Sequence, residues 1–161
     1  MVFKNCNKKE LRNNLNYFRR LPLAAFGHIQ PRWACGIHVD KLLVGELDPR
    51  NGSYIFYHVD ITEFIAKADF LDANPEKFLS GDDRSDFRIL TTLLQWEQGG
   101  YIDPPDIGPS RRNRNKITFA DGQHRAIAAY YLNSSHLPVA IHKTLIQETR
   151  SYLTLFDRIC H

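Results

Sequence analysis

Five consecutive residues, Asp121-Gly122-Gln123-His124-Arg125, set an acid, a glycine, an amide and two basic side chains side by side. Chemistry follows from what flanks them. Ile117, Thr118 and Phe119 are β-formers ending at an Asp-Gly turn pair. From His124 onward the composition turns to Ala, Ile, Tyr and Leu, with Ile127, Tyr130 and Tyr131 at i, i+3, i+4, which predicts a helix with one apolar face. Asn133-Ser134-Ser135 stops it, and Leu137 to Ile141 reads as a short buried strand. The five residues therefore sit where a strand feeds a helix. The first N–H groups of a helix lack intrahelical partners and lie at the positive end of its dipole. Gly122 lets a ligand approach that backbone, while His124 and Arg125 add side-chain donors. Together they suit a phosphate group. Asp121 repels phosphate unless a metal ion lies between them. A purely structural account makes Asp121 an N-cap worth about 1 kcal/mol, Gly122 a turn residue and Arg125 a solvated cation. That account leaves two basic residues against the dipole at a helix start, so the anion reading is preferred.

The stretch ITFADGQHRAIAAYYL followed by LPVAI resembles the signature of the ParB/sulfiredoxin superfamily. Its members carry a strand, a G-x-H-R or D-G-x-H-R turn, a helix with small residues and a strand with a V-P-V-like run. Gly122, His124 and Arg125 fall on the phosphate-binding positions, and residues 121–125 match the DGQHR subgroup letter for letter. In sulfiredoxin the residue before the histidine is the reactive cysteine; here it is Gln123, so sulfinic-acid repair has no nucleophile. The resemblance covers residues 41 to 143. It implies an α/β (α+β) fold, a single compact domain over residues 1–161 with a small mixed sheet packed with helices. Residues 1–40 and 144–161 are helical additions.

The totals agree with one globular domain. The chain has 161 residues, 43% hydrophobic and 24% charged, which suits one well-packed core. No apolar run approaches a membrane span, and no secretory leader is visible in MVFKNCNKKELRNN. Cys6, Cys35 and Cys160 are widely spaced and odd in number, as expected for reduced thiols in a cytoplasmic protein. Residues 110–125 hold Arg111, Arg112, Arg114, Lys116 and Arg125 against Asp121, a net of +4 in a chain whose total is +3. The rest of the chain thus carries −1. This concentration beside the turn is the footprint of a polyanion, a nucleotide or nucleic acid.

Taken in order, Asn7 and Glu10 form a capping box for a helix running to about Arg20, with Leu11, Leu15 and Phe18 inward and Arg12, Arg19 and Arg20 solvated. Residues 21–41 read as loop, and His28 and His38 as structural. Lys41–Leu47 and Tyr54–Val59 read as a hairpin turning at Asn51-Gly52. Asp60 and Glu63 read as the caps of a helix whose Phe64, Ala68 and Leu71 face inward. Asp83 to Gln98 reads as an apolar-striped helix ended by Gly99-Gly100, with Glu97 exposed in its final turn. Residues 101–108 are an extended edge, its prolines excluding a central strand. Residues 147–159 read as an amphipathic helix.

By resemblance the chain is a nucleotide-hydrolysing and DNA-cleaving enzyme, taking ATP or CTP with Mg²⁺. In size and in its free-standing domain it resembles the fertility-inhibition or oncogenic-suppression proteins of conjugative plasmids, which block DNA transfer between cells. Gly122, His124 and Arg125 would then hold phosphates, and Arg125 would neutralise developing charge. Asp121 would hold Mg²⁺ or orient water, with Asp103 and Asp106 as further candidate ligands, and Gln123 would position the attacked group. Arg111, Arg112, Arg114 and Lys116 would grip a DNA backbone without reading sequence. Two other readings remain. One is a non-catalytic DNA-binding module; the other is a protein-binding inhibitor or adaptor, for instance of a conjugation apparatus, with a vestigial pocket.

Overall fold

Leu137, Val139, Ala140 and Ile141 are completely buried, and such a run belongs to a strand covered on both faces. It forms the interior of a four-stranded mixed sheet. The computed structural model describes residues 1–161. Strand β1 (Tyr54–Asp60) runs antiparallel to β4 (His136–His142), with Tyr54 opposite His142 and Asp60 opposite His136. On its other side β4 is parallel to β2 (Asp106–Pro109), which is antiparallel to β3 (Ile117–Asp121). The order is β1-β4-β2-β3. Strand, helix and strand from 117 to 142 appear as expected. β3 and β4 are nevertheless not neighbours, because β2 lies between them; residues 106–108, expected at an edge, form an interior strand, since Pro104 and Pro105 precede it and Pro109 only ends it.

Six α-helices surround the sheet: α1 (Lys8–Asn13), α2 (Leu15–Arg20), α3 (Ile61–Lys67), α4 (Asp83–Glu97), α5 (Gln123–Tyr131) and α6 (Ile146–Arg150). Ala126, Ala128 and Ala129 are fully buried. Their small side chains let α5 lie close to the sheet and to α4, whose Ile89, Leu90, Leu93 and Trp96 fill the same core. The opposite face of the sheet has a smaller cluster, Leu47, Phe56 and Ala140.

Several expectations change. Lys41–Leu47 is not a strand and makes no hairpin with β1. Leu43 and Val44 stay exposed, and their N–H groups donate to the Asp103 carboxylate at 2.9 Å each. The outer edge of β1 is taken instead by the C-terminal tail, which does not continue as a helix past Arg150. His58 N–H donates to Asp157 O at 3.2 Å, Phe156 N–H to His58 O at 2.9 Å and Ile159 N–H to Phe56 O at 2.8 Å. An edge strand leaves such groups unpaired, and satisfying them outweighs the amphipathic pattern of residues 152–159. At the other rim, Asp69 N–H donates to Ile117 O at 2.7 Å beside an Ala68–Ile117 bridge.

The Asn7–Glu10 capping box forms, and Leu11, Leu15 and Phe18 are buried, but Asn14 divides the helix into α1 and α2. Arg19 is not solvated: it pairs with the fully buried Asp86 at 2.6 Å and with Asp83 at 2.5 Å. Asp60 caps α3, whereas Glu63 reaches away to accept from Thr154 N–H at 3.0 Å. Leu71 is exposed. Glu97 is buried rather than exposed. It accepts from Val2 and Phe3 N–H at 2.8 Å each and from His28 Nε2 at 2.5 Å. Burial pushes its carboxyl upward, but the bonds from His28, Phe3 and Val2 win and hold it below the ordinary value. The three cysteines are free; burial pushes the Cys35 thiol up to about 11, so it stays a thiol at neutral pH. No helix is long and apolar enough to cross a membrane.

Candidate functional site

β3 ends at Asp121 and α5 begins at Gln123, so the direction change falls on Gly122, at φ 102°. A Cβ there would lie 2.7 Å from Pro105 Cα. Glycine is required twice over, by the left-handed backbone and by the contact. Gly122 also caps α5 without a side chain, which leaves the first-turn N–H groups to other acceptors.

His124 is 8% exposed. Its Nε2 lies 3.0 Å from Ser85 Oγ, and the Ser85 hydroxyl donates to Asp72 O at 2.8 Å. A carbonyl only accepts, so the serine proton is committed and His124 Nε2–H must donate to Ser85. In the neutral ring Nδ1 is then a bare lone pair. No buried side-chain polar atom lacks a partner, so Nδ1, with no bond in the protein, keeps contact with solvent, and His124 is one of the residues lining the cleft. Burial, and then the positive charge of Arg88, lower the pKa of this histidine. It is a neutral acceptor at pH 7 rather than the phosphate donor expected from the motif.

Arg125 is held from two sides. Nη1 donates to Asp103 O at 2.9 Å, and Nη2 pairs with Asp121 one helical turn back. Asp103 does not join Asp121 as a metal ligand: both its oxygens are spent on the Leu43 and Val44 amides, and it is 2% exposed. Asp106 does lie beside Asp121, its register partner across β2–β3, and accepts from Tyr54 Oη at 3.2 Å. Burial raises its pKa, and the Asp121 charge adds to this against the Tyr54 bond. No cluster of three or more metal-ligating side chains forms. A pair of carboxylates suits Mg²⁺, which takes one or two from a protein and the rest from phosphate and water. Gln123 is turned away. Its Oε1 accepts from Leu71 N–H at 2.9 Å and Asp72 N–H at 3.2 Å, fastening that loop and reaching no attacked group.

A cleft of about 330 Å³ opens between α4 and this turn. Asp121, Gly122, His124 and Arg125 line one side. Arg88, Thr91 and Gln95 of α4 line the other, with Leu43, Phe87 and Ile102 as its apolar part. Sequence reasoning missed the α4 residues. Their signal was a polar stripe, Arg84, Arg88, Thr91 and Gln95 at steps of four, three and four, on a helix read only for its apolar face.

The basic loop is not next to the turn. Pro109 pairs with Ile117 at one end of the hairpin and Asp106 with Asp121 at the other, so five residues of β3 separate them, about 16 Å. Two of its cations are engaged: Arg112 pairs with Asp69 at 2.9 Å and Lys116 donates to Ala66 O at 3.1 Å. Arg111 and Arg114 are exposed.

Site and sheet together define an α/β domain with a polar cleft at a strand-to-helix turn. No model of a known protein family matches the chain, and no curated protein matches it. Among solved structures it is similar to the oncogenic suppression activity protein, a plasmid fertility inhibition factor, determined as a gold(I) cyanide derivative. The TM-score is 0.50 at 12% identity, over 66% of this chain and 60% of that one. The likeness is one of fold, and the match spans less than two thirds of that protein's length.

Proposed function

We propose that this domain binds a nucleoside triphosphate, ATP or CTP, in the cleft beside α5 and hydrolyses it. The observation that carries the reading is His124, more than nine-tenths buried and without a partner at Nδ1, lining one cleft together with Arg88 and Arg125. A bare nitrogen of lowered basicity beside cations is a poor phosphate clamp and a good proton acceptor for water. Water attacks the terminal phosphorus, forming one P–O bond as the bridging P–O bond breaks, and its proton passes to His124 Nδ1. Ser85 Oγ and Asp72 O hold the ring and accept charge from the imidazolium through Nε2–H. Arg88 and the open N–H groups of α5 face the negative charge of the phosphates. Asp121, which lines the cleft, would hold a Mg²⁺ ion there, with its register partner Asp106 as a second candidate ligand, and the ion would supply positive charge to the phosphate oxygens.

Titration with ATP and then CTP in the presence of Mg²⁺, followed by phosphate release, tests this. His124→Gln keeps a donor for Ser85 and removes the base, so binding should persist while turnover falls about 10²-fold or more. Absence of binding, or full turnover in that variant, would overturn the reading. The fold shared with a plasmid fertility inhibition factor supports a setting in which the domain blocks DNA transfer, alone or through a conjugation component. The exposed Arg111 and Arg114 favour a second activity, contact with a DNA backbone that a nuclease step would also require.

A further inference from the structure

We infer that Gln95 selects the base of the bound nucleotide, accepting a hydrogen bond from an exocyclic amine and so favouring adenine and cytosine. This rests on the nucleotide reading of the cleft.

The amide of Gln95 is fixed in orientation. Nε2 donates to Tyr101 O at 2.9 Å, and only the NH₂ end can do so because a carbonyl accepts. Oε1 therefore points the other way, and it makes no bond within the protein although no buried polar atom is left unpaired. It is an accessible acceptor on the cleft wall. A free Gln turns either end to a ligand; in this one the orientation is fixed, so the oxygen keeps its place, with only the second N–H of the bonded end beside it.

Its position suits a base. Gln95 is seven residues beyond Arg88 on α4, about 10 Å along the helix, the scale that separates a nucleobase from its phosphate chain. Thr91 lies between them. Its hydroxyl proton is committed to Phe87 O at 2.7 Å, so it presents lone pairs to a ribose hydroxyl. Around Gln95 the wall becomes apolar, with Leu43 and Ile102. A second cavity of about 480 Å³ shares Leu43, Thr91 and Gln95 with the first, so the groove continues past this point and has room for a ring. A cationic phosphate end at Arg88 and an acceptor-bearing end at Gln95, where Leu43, Ile102 and Leu94 mix with Asn7, Lys8 and Gln98, thus lie in order along one helix. Adenine and cytosine each carry an amine at the edge that would meet Oε1. Guanine and uracil carry an oxygen there, which would face another oxygen.

Competition titrations of the wild-type chain with Mg²⁺ decide this, comparing ATP with purine riboside triphosphate, which lacks only the amine, and CTP with UTP. The amine-bearing member of each pair should bind about tenfold more tightly. Gln95→Met, similar in length but without an acceptor, should bring the two members of each pair together. Equal binding of both members by the wild type overturns the role of Gln95 and leaves the nucleotide site standing. Binding of none of the four overturns the nucleotide reading and this inference with it.

Discussion

β3 carries basic residues at both ends, and the two ends are built in opposite ways. At its start, Arg112 and Lys116 are tied to Asp69 and to a backbone carbonyl, and Arg111 and Arg114 extend into solvent. At its finish, Arg125 is mostly buried and doubly held, a neutral histidine is fixed by a serine, and a glycine admits no substitute. The richer charge lies at the first end and the organised geometry at the second. Counting cations locates a surface; only burial and committed hydrogen bonds locate a place where a proton could be moved. The lesson is to weigh a site by what its side chains have left over.

The sharpest break of that contrast is Gly122→Ala. Left-handed backbone and the Pro105 contact act together, and a loss of about 3 kcal/mol is expected in chemical denaturation. Gly52→Ala, also at positive φ but with open space around it, should lose only about 1 kcal/mol. Similar losses at the two positions would mean that the turn at Pro105 yields easily. Next in size is the exchange of cations. Arg88→Ala should weaken nucleotide binding about tenfold, and Arg112→Ala should leave it unchanged in the same titration. The reverse ranking would move the anion site to the loop.

Acid sharpens the comparison further. The lowered pKa of His124 keeps it neutral below its ordinary 6.5, so the acid limb of hydrolysis should lie below that value. The same shift makes the unfolded chain bind a proton that the folded site refuses. Stability should therefore decline as pH falls from 6.5 through the lowered value, and His124→Gln should remove that part of the decline. The smallest effect concerns the loop: Arg111→Ala or Arg114→Ala should each reduce the salt slope of DNA binding by about one. A filter-binding series over salt concentration reads it directly.

Much of the central unit was legible. The Asp-Gly turn, the alanine-rich helix and the buried strand each carry local signals that agree with their tertiary setting, and so do the Asn7 cap and the 83–97 helix. Three kinds of information were hidden. Strand neighbours are set by non-local pairing, so Lys41–Leu47 looked like a hairpin arm although a buried aspartate across the fold claims two of its amides. The C-terminal segment has helical spacing, yet the unpaired edge of β1 competes for its backbone. Distances along a strand were also hidden, since residues 111–116 are adjacent to 121–125 in sequence and remote in space. Around the cleft, the position of Gly122, His124 and Arg125 at a strand-to-helix turn was legible from the Asp-Gly pair and the helix that follows, and so was the placing of Asp106 beside Asp121. The roles of Gln123 and Asp103 failed because nothing in a sequence reveals that a side chain is already occupied.

Both rims of the sheet are occupied by the chain's own segments, the tail along β1 and residues 68–69 against β3. Where those segments lie, at Phe56, His58 and Ile117, a strand from another polypeptide would first have to displace one of them. Recognition there favours side chains on helices and loops. Such contacts are abolished by single substitutions and are indifferent to competing extended peptides, which sets the kind of screen in which a partner would be caught.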